Sequence, residues 1–297
     1  MAHTYYSNTK DSITFNEFID TISKVINFQD EDSLLECVNP LLKLSNNSSF
    51  FTEYLNQQLN LNMDEFQKGN SYSEQGYKLY ECKDFFIRIT YWPKISTDER
   101  FSQPQSDLFS YDMAHDHNFP LLTAGYKGDG YTTKLWEYEY ENVIGYKNEK
   151  VDMKFLEETT LHQGKALYYR PSRDIHSQIP PKIEDSLAIN IILNTHNQFE
   201  HRQYEFDTNQ KKIKDIIYGS SESKFNIIKL ATLFNNDETV GLLTKIASKH
   251  KIPQVRQESL ISLSNIEKSN EVWKIGLKDK DSSVVELCKL NLENFNI

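Results

Sequence analysis

Three histidines carry the clearest chemical signal in this sequence. His115 and His117 are separated by one residue, so in an extended strand both imidazoles point to the same face. A third histidine, His176, follows a later segment that begins at Gly164 and contains Pro171. Imidazoles that converge on one point bind divalent first-row metals, and three of them leave coordination positions open for substrate or dioxygen. The spacing therefore predicts a metal site held by His115, His117 and His176.

A fourth ligand is predicted from strand pairing. Residues 128–130, Gly-Asp-Gly, are typical of the tip of a long hairpin, whose pairing would place Glu139 opposite Phe119 and on the histidine face. Glu139 is the predicted carboxylate ligand, and Glu137 is the alternative. A register one residue different would turn both carboxylates outward, onto a solvated acidic face.

Arg88, Gln178 and Tyr168 are the predicted catalytic or substrate-binding residues. Arg88 could hold a substrate carboxylate through bidentate hydrogen bonds. Gln178 is two residues beyond His176, so it shares the face of that histidine and could orient a ligand or a water. Tyr168 belongs to a set of aromatic residues of which strand alternation lets about half face a pocket. Further candidates are Arg170 and Arg173 for a carboxylate, His162 beside the metal site, and Tyr126, Tyr131, Trp136 and Tyr138 for the pocket wall.

Strand signals dominate the middle of the chain. Residues 78–93 alternate and are rich in aromatic and β-branched residues, with a turn at 83–84. Residues 109–119 are predicted as the strand that carries the histidine pair, after a loop marked by Pro104. Many short strands with regular turns favour a sandwich or barrel over a βαβ fold. The further predicted strands are 143–146, 151–156, 166–169, 175–179 and 187–193.

Helical periodicity flanks this β region. Residues 14–26 show the spacing of an amphipathic helix, and two shorter helical segments follow them. From about Tyr204 the helical pattern returns. The pattern of residues 255–266 recurs in residues 284–292, which resembles a HEAT-type repeat. Such repeats usually bind another protein or form a structural lid. The predicted domains are a helical cap at 1–72, a β-barrel at 73–205 and a helical repeat domain at 206–297.

Composition narrows the range of partners and compartments. The chain has 297 residues and a net charge of −10, which argues against nucleic acid or an anionic membrane as the main partner. Cys37, Cys82 and Cys288 form no CxxC pair and predict a reducing compartment without disulfides. The sequence has neither a long apolar run nor a signal-peptide pattern, so we expect a cytoplasmic protein.

The His115-Asp-His117 pair and the segment from Gly164 through Pro171 to His176 resemble the two motifs of the cupin family. Cupins are double-stranded β-helix jelly rolls whose histidines converge in the mouth of the barrel. The resemblance therefore implies a mixed α and β protein with a central cupin barrel. Three histidines without an acid are most similar to the thiol-dioxygenase branch, which binds ferrous iron and adds dioxygen to a cysteine thiol. Arg88 sits roughly where that branch keeps a carboxylate-binding arginine.

The sequence departs from these patterns in two places. Many cupins have a glutamate separated from the histidine pair by three or four residues, where this chain has Leu121 and Leu122. The thiol-dioxygenase branch also has a Ser-x-His-x-Tyr group after its third histidine. The corresponding strand here contains Ile189, Ile191 and Leu193. An oxoglutarate-dependent site is not expected, because the acid Asp116 would point away from the histidines.

Two functions fit these observations. The first is a mononuclear non-haem Fe(II) oxygenase, a dioxygenase or hydroxylase, that uses dioxygen on a small amino acid, a peptide or a related metabolite. The second is a cupin that binds Zn, Mn or Ni without redox chemistry, either as an isomerase or as a binding module whose helical repeats contact a protein partner. Metal content and substrate-dependent oxygen uptake distinguish them.

Overall fold

A computed structural model describes residues 3–60, 75–195, 200–217, 220–234 and 236–294. Contacts divide the chain into two compact units. The sheet unit comprises 1–137 and 154–195, and the helical unit comprises 138–153 and 196–297. The predicted boundary at 72/73 lies outside the described residues, and the one at 205/206 falls within a strand.

The described part of the sheet unit contains nine strands in two antiparallel sheets, which confirms the mixed α and β class. The strands are β1 (His3–Tyr6), β2 (Gly76–Glu81), β3 (Phe85–Trp92), β4 (Leu121–Lys127), β5 (Thr132–Glu137), β6 (Lys154–Thr160), β7 (Lys165–Tyr169), β8 (Asp174–Ile179) and β9 (Ser186–Leu193). The six-stranded sheet has the order β1-β7-β4-β9-β3-β2, and the three-stranded sheet has the order β6-β5-β8.

The N-terminal helices cover one face of the six-stranded sheet. The first helix begins at a capping box, in which the Thr14 hydroxyl accepts from the Glu17 N–H and the Glu17 carboxylate accepts from the Thr14 N–H. Its buried residues Phe18 and Ile22 share a hydrophobic core with alternate residues of the sheet, such as Ile89. The N-terminal helices are α1 (Phe15–Ile22), a 3-10 helix (Glu31–Cys37), α2 (Val38–Ser45) and α3 (Phe50–Leu59). A further helix, α4 (Glu99–Leu108), follows β3 and has no buried residues.

The opposite face of the six-stranded sheet packs with the small sheet. Strand β3 shows the division, because Ile87 and Ile89 join the helix-covered core, whereas Trp92 joins a second core. That second core also contains Leu135 of β5 and Ile192 of β9. The alternation of a β-strand thus separates an apolar layer under the helices from a layer between the sheets.

Three predictions for the middle of the chain are wrong. Residues 109–119 form only isolated bridges at Tyr111 and His115 rather than a strand. Pro104 lies inside α4 rather than in the predicted loop. It removes one backbone donor but does not end the helix, whose first turn is capped by the Asp98 side chain. The hairpin with a tip at 128–130 does not form, because β4 and β5 belong to different sheets.

The described part of the helical unit combines a two-stranded sheet with a helical array. Leu260, Trp273, Val284 and Cys288 form its core. None of the described helices has the length and apolar character needed to cross a membrane. The elements are β10 (Gln203–Asp207), β11 (Lys212–Ile217), α5 (Ser220–Leu230), α6 (Asp237–Lys249), α7 (Pro253–Glu267), α8 (Glu271–Gly276), α9 (Ser282–Asn294) and short 3-10 helices at Tyr140–Asn142 and Ala231–Leu233.

Two predictions for this unit are also wrong. The region after Tyr204 begins with the antiparallel pair β10 and β11, in which Tyr204, Phe206 and Ile213 are buried, and becomes helical only later. Residues 143–146 form a loop rather than a strand. The Glu149 carboxylate accepts from the N–H of Gly145 at 2.6 Å and thereby holds this loop around a residue with φ +93°.

Candidate metal centre

His115, His117 and His176 lie together in the sheet unit. Each offers a ring nitrogen, and these nitrogens all lie within 4.8 Å of one another. The ring centroids of His115 and His176 are 4.3 Å apart, and those of His117 and His176 are 4.7 Å apart. His176 is buried, while the other two rings are half-buried. The predicted convergence of the three histidines is confirmed.

Backbone hydrogen bonds set the position of these histidines. His115 and His176 form an isolated antiparallel bridge, in which each N–H donates to the other carbonyl at 2.9 and 2.8 Å. Directly opposed residues of an antiparallel pair place their side chains on the same face. The His117 carbonyl accepts from the Ser172 N–H at 2.6 Å, which ties the other end of the segment to the loop before β8. One short bridge therefore replaces the predicted strand and still aligns the rings.

The protonation of these imidazoles suits metal binding. The Nδ1 atom of His115 lies 3.0 Å from the Met113 carbonyl oxygen, so Nδ1 carries the hydrogen and Nε2 keeps its lone pair. The Nδ1 atom of His176 is buried and has no hydrogen-bond partner among the described residues. Burial, together with the neighbouring His115 and His117, lowers the pKa of His176 well below its usual value of 6.5. Neutral, closely spaced imidazoles are the donor set that a divalent metal needs.

The histidines open onto a cavity of about 100 Å³ between the two sheets. Two of the predicted functional residues, Arg88 and Gln178, line this cavity. Arg88 is the charged side chain of the described wall, and no carboxylate belongs to that wall. Further lining residues from the strands and their connections are Thr90, Trp92, Tyr131, Tyr169 and Asn190.

Tyr169, rather than the predicted Tyr168, faces the histidines. The Tyr169 ring centroid lies 4.6 Å from that of His176, whereas Tyr168 belongs to the core beneath the N-terminal helices. The Tyr168 hydroxyl donates to the Glu31 carbonyl at 3.3 Å. Adjacent residues of β7 point to opposite faces, so only one of the two tyrosines can face the histidines, and that residue is Tyr169.

Phenol groups on the cavity wall remain protonated. Burial raises the pKa of Tyr131 to about 12, and burial raises that of Tyr169 well above its ordinary value of 10. Both hydroxyls therefore keep their hydrogens at neutral pH.

Glu139 does not belong to the group of candidate metal ligands. It is an exposed residue just before a 3-10 helix, and the hairpin that was predicted to align it with the histidines does not exist. Glu137 instead pairs with Arg170, whose Nη2 lies 3.2 Å from a carboxylate oxygen. Arg170 also binds Asp174, so this arginine is part of a structural ion-pair network.

The remaining candidates lie outside the described cavity wall. The Tyr126 hydroxyl donates to backbone carbonyls of the loop before α3, and Trp136 packs on Phe155. Tyr138 packs on Phe206 in the helical unit. His162 is exposed, with its Nδ1 atom 2.8 Å from the carbonyl of the next residue.

Sequence reasoning missed Trp92, Asn190 and Tyr169 as cavity residues. Trp92 could have been predicted as a cavity residue from the sequence. It lies four positions beyond Arg88 in an alternating strand and therefore on the same face. Asn190 pairs with Arg88 across β3 and β9, and no local signal reveals that pairing.

No family model matches this chain, and no curated protein is significantly similar to it. Solved structures show weak similarity. Hydroxypropylphosphonic acid epoxidase from S. wedmorenis is 11% identical over 39% of this chain and 48% of its own, with a TM-score of 0.23. The chain thus spans about half the length of that epoxidase.

Two further solved structures show similarity of the same order. DMSP lyase DddQ from Ruegeria pomeroyi DSS-3 is 10% identical over 51% of this chain and 57% of its own, with a TM-score of 0.23. An uncharacterized Klebsiella pneumoniae protein with a double-stranded β-helix domain is 9% identical over 50% of this chain and 96% of its own, with a TM-score of 0.26. At these TM-scores, a functional conclusion has to come from the residues of the chain itself.

Proposed function

We propose that this protein is a mononuclear non-haem Fe(II) oxygenase acting on a small amino acid, a peptide or a related metabolite. The observation that carries this function is the convergence of three imidazoles on one cavity between the two sheets. Imidazole ligands suit iron, and three of them leave positions for a substrate and for dioxygen. Bound iron would supply the redox chemistry with dioxygen, while the chain supplies positioning.

The residues that line the cavity beside the histidines can bind and orient a substrate. Arg88 is half-buried and attracts an anionic group of the substrate. Gln178 lies on β8 two residues beyond His176, so its amide can orient a bound molecule beside the histidines. The protonated phenols of Tyr131 and Tyr169 are neutral donors. Closure between two packed sheets excludes bulk water from the reacting atoms.

The order in which the chain visits the sheets supports a double-stranded β-helix for the sheet unit. It passes from β3 of the large sheet to the His115 bridge beside β8, and then back to β4. It continues through β5 and β6 of the small sheet, β7 of the large one, β8 and finally β9. This alternation between two sheets is the winding of a jelly roll.

A metal-binding protein without redox chemistry is the second candidate. Three imidazoles without a carboxylate also suit Zn or Ni, and Mn is a further candidate, so the donor set by itself favours none of these metals over iron. In this version the paired helices α6 with α7 and α8 with α9 would form a HEAT-like surface for a protein partner.

Metal analysis combined with oxygen uptake tests the proposed function. Purified protein is loaded anaerobically with Fe(II) or Zn(II), desalted and analysed for metal, and the iron form is then screened with free amino acids and thiols. We expect about one iron per chain and oxygen consumption that depends on one class of substrate. Retention of zinc, with no substrate-dependent uptake by the iron form, would favour the second candidate.

A further inference from the structure

A line of oxidisable aromatic rings begins at the histidines. The Tyr169 ring lies 4.6 Å from that of His176. Tyr131 lines the same cavity as Tyr169 and belongs to the same hydrophobic core. The Tyr131 ring centroid in turn lies 4.4 Å from that of Trp92. The three aromatic residues thus follow the cavity wall from the histidines to Trp92.

Trp92 is a buried indole whose N–H has no acceptor within the part of the chain that the structure describes. The residue is 8% exposed, and its Nε1 atom has no hydrogen-bond partner among the described residues. A buried indole N–H usually finds a hydrogen-bond partner. An indole that gives up one electron here keeps its proton, so it passes the charge onward instead of trapping it as a neutral radical.

The series of aromatic residues ends at Tyr91, which reaches the protein surface. It follows Trp92 directly on β3, and its half-exposed phenol donates to Asp185 Oδ2 at 2.6 Å. Oxidation of a phenol to a neutral radical requires a proton acceptor, and this carboxylate provides one. Among the described residues, the Trp92 N–H therefore has no proton acceptor, whereas the Tyr91 hydroxyl has one in Asp185.

We propose that Tyr169, Tyr131, Trp92 and Tyr91 form a relay that carries an oxidising equivalent from the metal centre to the protein surface. This role rests on the proposed function, because the relay needs an oxidant at the histidines. It protects His115, His117 and His176 when the centre reacts with dioxygen or peroxide in the absence of substrate.

The electrons and the proton balance along this path. Trp92 gives one electron through the two phenol rings to the oxidised centre and becomes a radical cation. Tyr91 returns one electron to Trp92 and its hydroxyl proton passes to Asp185. A soluble one-electron reductant of the ascorbate or thiol class then reduces the Tyr91 radical, and Asp185 gives the proton back. The net change is one electron transferred from the soluble reductant to the centre.

Spin trapping with peptide mapping tests the relay. Iron-loaded, substrate-free protein is treated with hydrogen peroxide and a nitroso spin trap, and adducts are located by mass spectrometry. We expect the main adduct on Tyr91. Trp92→Phe should lower it at least five-fold and shift oxidation to the histidines or Tyr169, and Tyr91→Phe should produce the same shift. Trp136→Phe, a matched change outside the cavity wall, should leave the adduct unchanged.

Iron content and circular dichroism of every variant separate the outcomes. The relay is wrong and the oxygenase remains if the wild-type protein retains iron but the adduct does not lie on Tyr91. The same conclusion follows if Trp92→Phe leaves the Tyr91 adduct unchanged, or if Tyr91→Phe does not shift oxidation to the histidines or Tyr169. If the protein retains no iron, both the relay and the proposed function are wrong. Because Tyr91→Phe removes only a half-exposed hydroxyl, it keeps the test valid even if Trp92→Phe fails to fold.

Discussion

His176 is the residue on which the metal centre depends most. It is the buried member of the group and holds the backbone of His115 through two hydrogen bonds. His176→Ala should reduce metal affinity by at least about 100-fold, since even the outer partners of a ligand change affinity by about 10- to 100-fold. Elemental analysis after desalting measures the loss, and the exposed His162→Ala is the control that should keep full metal content. Equal loss in both variants would contradict a specific role of His176.

Burial of His176 also predicts a pH dependence of stability in the metal-free protein. Its pKa is lowered on folding, so the unfolded chain binds more protons than the native state as pH falls below about 6.5. Stability should therefore decrease toward acid, by at most about 1.4 kcal/mol per pH unit from this group. Urea unfolding at pH 7.5 and 5.5 measures the change, and His176→Gln should reduce it. The same slope in the variant would assign the effect to other groups.

Tyr168 and Tyr169 provide a residue-level test of strand register. Tyr168→Phe removes a hydrogen bond to Glu31 under the helices and should lower stability by about 1 kcal/mol without affecting the cavity. Tyr169→Phe alters the cavity wall and should change substrate-dependent oxygen uptake. Thermal unfolding of both variants measures the change in stability, and an oxygen electrode measures the change in substrate-dependent oxygen uptake. An oxygen-uptake defect in Tyr168→Phe alone would support the predicted role of Tyr168 instead.

At the level of elements, the connection between β4 and β5 takes the chain from one sheet to the other. Gly130 in this connection has φ +81°, and a Cβ atom there would lie 2.3 Å from the Leu161 carbonyl oxygen. Gly130→Ala should therefore destabilise the sheet unit by more than about 2 kcal/mol. Gly241→Ala in the exposed part of α6 meets no atom within 4 Å and should stabilise the helical unit by about 1 kcal/mol. Calorimetry of both variants measures the two effects, and a neutral Gly130→Ala would exclude this strained crossing.

At the scale of the whole molecule, the two units carry separate buried cores. In the helical unit, Arg202 and Glu258 form an ion pair at 2.9 Å with side chains that are 8% and 5% exposed. Glu258→Ala leaves a buried charge and should destabilise this unit by about 3–5 kcal/mol. The variant should retain its metal, because the three histidines belong to the sheet unit. Elemental analysis and calorimetry test both parts, and loss of metal in the variant would contradict them.

An exposed ion pair of the same unit is the control for that experiment. Lys251 and Glu200 are 3.0 Å apart, but the lysine side chain is 79% exposed. Surface pairs contribute little, so Glu200→Gln should change stability by less than about 1 kcal/mol. A larger effect would show that burial does not account for the difference between the two pairs.

The sequence alone determined the chemistry of the centre. The residue types and the one-residue gap between His115 and His117 identify a metal site, and short-range alternation correctly locates most strands of the sheet unit. These properties are local, because a side chain carries its donor atoms wherever it lies and strand period depends on neighbouring residues. The same rule places Arg88 and Trp92 on one face of β3.

Only the tertiary structure decided which distant residues share the cavity. Tyr169 rather than Tyr168 faces His176, Asn190 lies opposite Arg88, and Glu139 does not join the histidines. Each of these outcomes depends on which strands pair and in what register, and a shift of one residue reverses every side chain of a strand. That choice is made by packing between segments far apart in the chain, which no local pattern encodes.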